Sequence, residues 1–151
     1  MKKTFKAAML SALCAILIAG CGKIKSVEPQ ALAEAINDNV TFDDYLSVID
    51  SDGAEKYFYL NPNDYTELVA YVGTDATCDE FIIVKTNDVQ TIRTKLEEHI
   101  GLLRDLYETY RPDETAKLDT AFIETYKDAV VMIISPSPEQ AQSTFKSYIK
   151  K

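Results

Sequence analysis

Apolar residues recur every three or four positions from Val89 to Tyr110, and this stripe (Val89, Ile92, Leu96, Ile100, Leu103, Tyr107, Tyr110) predicts one long amphipathic helix. Asn87 is expected to cap its start and Pro112 to end it, with Arg93, Glu97, Arg104 and Glu108 on the polar side. Gly101 is a weak point inside it, costing about 1 kcal/mol relative to alanine. Ahead of the helix, 67–73 and 79–86 are rich in β-formers and are separated by Thr74-Asp75-Ala76-Thr77, which reads as a hairpin. Beyond the helix, 113–120 has room for one or two further turns. A second hairpin follows, with 122–126 and 129–135 flanking the two-residue connection Lys127-Asp128. Ser137-Pro138-Glu139-Gln140 then opens a terminal helix whose apolar stripe is Ala141, Phe145 and Ile149. Shifting 79–100 by 49 positions lays it on 128–149, strand upon strand and stripe upon stripe. Two hairpin-then-helix units predict an α+β fold, an antiparallel sheet with its helices packed on one face.

The first half is less periodic. Pro29 suits a first helical position, and Leu32 and Ile36 stand four apart in the helix predicted over 30–37. Thr41 with Asp44 has the form of a capping box before Tyr45, Leu46 and Ile49, which predicts a short helix there. Asp50-Ser51-Asp52-Gly53 and Asn61-Pro62-Asn63-Asp64 read as turns.

The N-terminus has a different character. Met1-Lys2-Lys3-Thr4-Phe5-Lys6 is basic, and 7–20 is uncharged, too short to span a bilayer as a helix but suited to an export signal. Ile18-Ala19-Gly20-Cys21 resembles the lipobox of bacterial lipoproteins. That resemblance implies cleavage between Gly20 and Cys21 and lipid attachment at Cys21, leaving 21–27 as a tether and 28–151 as one domain. Two acyl chains suffice for stable anchoring where one is marginal.

Removal of 1–20 leaves 131 of the 151 residues, a normal single-domain size. The signal takes three lysines and no acid with it, so 13 basic residues face 24 acidic ones, a formal charge of −11. Such a field disfavours nucleic acid and anionic headgroups as partners, so no nucleic-acid partner is expected, and its ordinary role is solubility. Cys14 leaves with the signal and Cys21 is alkylated, so Cys78 has no partner for a disulfide or a metal pair. Next to Phe81-Ile82-Ile83-Val84 it is read as a packed, inert thiol.

Ala76-Thr77-Cys78-Asp79-Glu80 with the apolar strand after it, Tyr110-Arg111-Pro112, Lys117-Leu118 and the run 128–135 resemble the motifs of one family. It is domain of unknown function four-three-five-eight, found in short lipoproteins of Gram-positive bacteria. The resemblance spans roughly 31–149 and implies location and fold; it brings no activity with it. Cys78 stands where the family pattern has alanine, and His99 where it has arginine.

Few residues carry candidate chemistry. His99 is the only histidine, which rules out paired-histidine metal motifs, and with Lys95 and Leu103 one turn either side it reads as structural. Asp79 and Glu80 open a strand and point to opposite faces, a poor arrangement for a shared substrate. Glu80 is the most interesting polar position, expected to hold the hairpin through backbone amides or a nearby base such as Arg104. Asp50-Ser51-Asp52-Gly53-Ala54-Glu55 echoes a calcium loop but lacks its spacing, so no metal or other cofactor is expected. Tyr57, Tyr59, Tyr65 and Tyr71 offer a sugar- or peptide-binding face, although half-buried strands and loops also favour tyrosine. No phosphate loop, dinucleotide fingerprint or nucleophile elbow is present.

These observations predict a lipoprotein on the outer face of the cytoplasmic membrane, anchored through Cys21. Its domain is expected to be a non-catalytic binding or accessory module for a protein or cell-wall polymer. The alternative is a small envelope hydrolase, which requires Glu80 to meet a second acid in a cleft. A complete solute receptor is disfavoured because 131 residues hardly form two lobes.

Overall fold

The computed structural model describes residues 26–150; Gly20, Cys21 and the rest of the N-terminal segment lie outside the described residues. The order of elements is α1 (Pro29–Asn39), β1 (Ser47–Ile49), α2 (Ser51–Tyr57), β2 (Glu67–Val72), β3 (Glu80–Lys85) and α3 (Val89–Tyr110). After a 3-10 turn (Pro112–Glu114) come α4 (Thr115–Asp119), β4 (Phe122–Tyr126), β5 (Ala129–Ile134) and α5 (Pro138–Ile149). Five antiparallel strands form one sheet in the order β1-β2-β3-β5-β4. The α+β class and both hairpins are therefore as expected.

The layering differs from the expectation, because helices cover both faces of the sheet. Ile82, Val84, Val130, Met132 and Ile134 pack with Ile92, Leu96, Leu103 and Tyr107 of α3 and with Ala54 and Phe58 at α2. Phe81, Ile83, Val131 and Ile133 pack on the other side with Leu32 and Ile36 of α1 and Ala141, Phe145 and Tyr148 of α5. Register explains the inversion. Phe81 lies opposite Ile133 and Val84 opposite Val130, and directly opposed side chains share a face. A shift of 49 takes Phe81 to Val130, which faces the other way, so the second unit repeats the first with its faces exchanged. The signal was present in the unbroken apolar runs of β3 and β5, which belong to strands buried on both sides.

Three local readings are also corrected. No helix follows Thr41; the chain there is irregular and leads into β1, which pairs along β2. The turn expected at 50–53 is the start of α2, where the Asp50 carboxylate caps Gly53 N–H at 2.7 Å. The cap of α3 is Asp88, one residue later than expected, accepting from Thr91 N–H at 3.0 Å.

Val27, expected in the tether, is fully buried against the α1–α5 layer. Glu28 N–H donates to the Tyr148 hydroxyl at 3.1 Å, fixing the chain entry beside the end of α5. Among the described residues, every side chain of the two cores lies within 27–149, so a chain of 26–151 retains all of them. The start of α1 and the end of α5 lie at the end of the sheet where β3 finishes. The 73–79 loop, the end of α3 and α4 lie at the opposite end.

Candidate functional site

At that far end the loop between β2 and β3 meets the end of α3 and the start of α4, and two buried polar assemblies form on either side of the first residue of β3. Gly73 makes the close packing possible: a Cβ there would sit 3.0 Å from the Asp79 carbonyl and 3.2 Å from an Asp44 carboxylate oxygen. Asp44 gathers the loop, accepting from Thr74 N–H at 2.7 Å, the Thr74 hydroxyl at 2.6 Å and the Thr77 hydroxyl at 3.3 Å. The side-chain bond from Thr74 is the chief reason its carboxyl is held below the ordinary value.

The first assembly centres on Lys117. Its Nζ lies 2.7 Å from Asp79 Oδ1, 2.8 Å from Asp43 Oδ2 and 2.9 Å from Glu114 Oε2. Burial works against the ammonium, but these three hydrogen bonds outweigh it and raise the Lys117 pKa. Asp79 Oδ2 accepts from the backbone N–H groups of Asp43 and Asp44, and Glu114 Oε2 also accepts from Cys78 N–H at 3.1 Å. Arg111 grips Asp113 with two bonds (3.0 and 2.8 Å) and donates to the Ala76 carbonyl at 2.8 Å, while the Tyr107 hydroxyl donates to the Thr77 carbonyl. The segments Ala76–Glu80, Tyr110-Arg111-Pro112 and Lys117-Leu118, scattered in sequence, thus converge on one loop.

The second assembly lies on the α3 side. Glu80 Oε1 is 2.8 Å from His99 Nε2, and Glu80 Oε2 accepts from the Tyr57 hydroxyl at 2.9 Å. The Glu80 and His99 side chains are 1% and 4% exposed, so this pair is shut away from solvent. The His99 ring sits against Tyr57 and Phe58, with centroids 5.1 and 4.6 Å away. Burial, then the Glu80 charge, pushes the Tyr57 hydroxyl well above its ordinary pKa, so it remains a neutral donor.

Asp79 and Glu80 do point apart, each to its own partner. The partner of Glu80 is His99; Arg104 instead pairs with Asp119 at 2.7 Å. Asp79 makes the backbone contacts expected of Glu80. Cys78 is 3% exposed, and burial followed by the Glu114 charge pushes its thiol up to about 12, consistent with a packed, unreactive sulfur. The tyrosines do not share a face: Tyr71 stacks on Phe81 at 4.8 Å on the α1–α5 side, Tyr65 donates to Glu55, and Tyr57 and Tyr59 lie at the end of α2.

Sequence reasoning missed Lys117, Glu114 and Asp43 as one unit. It also missed the base beneath Glu80, although a histidine between Leu96 and Leu103 on a buried stripe requires a partner on the sheet face it covers, and Glu80 is the acid on that face of β3. Chemically, the inward carboxylates of Asp79, Glu80 and Glu114 all have partners, and where three acids converge the centre is occupied by the protein's own ammonium. Among the described residues no group of three or more histidine, cysteine or acidic side chains is placed to hold a metal ion. A shallow groove between α1 and α5, lined by Ala35, Asn39, Ser143, Thr144, Ser147 and Tyr148, contains no charged side chain.

The outer surface of α3 is different. Tyr110, expected in the buried stripe, is 67% exposed, because about 33 Å of helix overruns strands of about 20 Å. Leu102 and Leu106, at the preceding four-residue steps, are 51% and 58% exposed.

A family model described as Domain of unknown function (DUF4358) matches residues 39–135, from the end of α1 to just past β5. No curated protein and no solved structure matches the chain.

Proposed function

We propose, for a chain that belongs to the DUF4358 family, that it is a lipid-anchored lipoprotein on the outer face of the cytoplasmic membrane whose folded domain is a non-catalytic binding module. The observation that carries the binding reading is a contrast. Asp79, Glu80 and Glu114 are satisfied inside the protein, whereas Leu102, Leu106 and Tyr110 are left uncovered on a helix. A hydrolase of the carboxylate type needs two acids facing one another across an open cleft; here Glu80 faces His99 and Tyr57 in the interior.

The anchor reading rests on Ile18-Ala19-Gly20-Cys21 behind a basic, then uncharged, leader. Among the described residues no helix is long and apolar enough to cross a membrane. Only 22–25 separate Cys21 from Ser26, and Val27 is locked into the fold. A lipid on Cys21 would hold the domain within about 20 Å of the bilayer, chain-entry end down and the Ala76–Glu80 loop outward. Confinement to a surface raises the concentration of the domain near membrane partners. Metabolic labelling with a radioactive fatty acid tests the anchor: Cys21→Ser should lose the label and accumulate unprocessed. A Cys21→Ser chain that still carries label and fractionates like the parent refutes it.

A further inference from the structure

We infer that the outer face of α3 is a docking strip for a cationic amphipathic helix of a partner protein. This rests on the reading of the domain as a binding module and names the chemistry of what it binds. Leu102, Leu106 and Tyr110 succeed one another at four-residue intervals, forming a ridge about 12 Å long, and are each more than half exposed. Tyr57, 41% exposed, continues the patch at its flank, since its ring packs on His99 one turn before Leu102. Together these side chains leave on the order of 400 Å² of apolar surface open, within the range of the largest exposed patch on a typical soluble domain, which is often functional.

Charge selects the occupant. The lysine and arginine side chains that α3 itself carries are already committed: Arg93 to Glu97, Lys95 to Asp64 and Arg104 to Asp119. Glu98, one turn before Leu102, and Asp105, next to Leu106, are exposed and, among the described residues, engaged by no ion pair. They form an acidic lane beside the apolar one. A second copy of this chain would bring the same acids against them, whereas a helix with an apolar stripe flanked by lysine or arginine matches both lanes. The patch is about half the area each partner contributes to a stable complex, so the contact belongs to the weak, transient class that membrane confinement makes effective.

The test uses residues 26–151 and a fluorescent 18-residue helix of leucine, lysine and alanine with its leucines in one stripe. Two control peptides accompany it, one with the leucines scrambled off the stripe and one with every lysine changed to glutamate. Anisotropy titration should give micromolar binding for the striped cationic peptide and at least tenfold weaker binding for both controls. Leu102→Ser with Leu106→Ser should weaken it tenfold or more. Glu98→Gln with Asp105→Asn should weaken it severalfold and flatten its salt dependence. Equal binding of the scrambled peptide, showing attraction to net charge alone, would overturn the proposal, as would full affinity in the leucine variant. Sedimentation showing a dimer that the leucine variant abolishes would overturn it in favour of a second copy. If the domain ignores the peptides yet cross-links to a membrane protein through another face, this inference fails while the binding-module reading stands.

Discussion

Replacing Lys117 with methionine removes one positive charge and leaves the volume nearly unchanged, so its effect isolates the electrostatics of the buried assembly. The Lys117 side chain is 9% exposed, and its partners Asp79 and Glu114 are 0% and 7% exposed. Deleting the cation strands two carboxylates in a medium that cannot solvate them. Removing one member of a buried ion pair typically costs about 3–5 kcal/mol, against about 5–15 kcal/mol for the whole stability of a domain. For a domain of this size that corresponds to a fall in melting temperature of roughly 12–20 °C. Asp43 makes the third contact but is 52% exposed, so Asp43→Asn should cost no more than about 1 kcal/mol. Urea denaturation followed by circular dichroism measures each value, and an unchanged slope with urea would show that the denatured state is not the source. The decisive measurement is the double-mutant cycle with Asp79→Asn. Neutralising Asp79 removes part of what Lys117 compensates, so the double variant should be more stable than the two single losses predict, by about 1 kcal/mol or more. Strict additivity, or a Lys117→Met variant within about 1 kcal/mol of the parent, would refute the account of this assembly.

Glu80→Gln removes the charge that His99 and Tyr57 bond to and should destabilise by about 1.5–3 kcal/mol; unchanged stability with lost binding would make Glu80 a site residue instead. Alkali should unfold the domain through Cys78 and Tyr107, whose folded pKa values are both pushed up to about 12, chiefly by burial, from ordinary values of 9.0 and 10.0. The unfolded chain releases those protons first, so this stability is intact below about pH 9 and falls between 9 and 12. The slope is at most about 1.4 kcal/mol per pH unit for each proton. Cys78→Ala should flatten that limb, and native-state thiol labelling should be slow at pH 8 and fast once urea unfolds the domain. Asp88→Ala should cost about 1 kcal/mol by removing the cap of α3, with fraying visible as faster amide exchange in its first turn.

What the chain specifies locally was legible in it. The two hairpins, α3 and α5 follow from β-rich runs, a 3.6-residue stripe, Pro112 after α3 and Pro138 at the start of α5, each a property of residues a few positions apart. The start of α2 was misread because Asp-Ser-Asp-Gly suits a turn and a helix cap equally, and tertiary packing of Ala54 and Phe58 decides between them. Which face each helix covers depends on the parity of the register between β3 and β5, which no local pattern contains. The same holds for the polar assemblies: His99 meets Glu80 from 19 residues away, and Lys117 meets Asp79 from 38. The sequence by itself determined α1, α3, α5 and the two hairpins. The tertiary structure decided which charges meet and which apolar side chains remain uncovered, because both depend on how strands align and how far a helix overruns them.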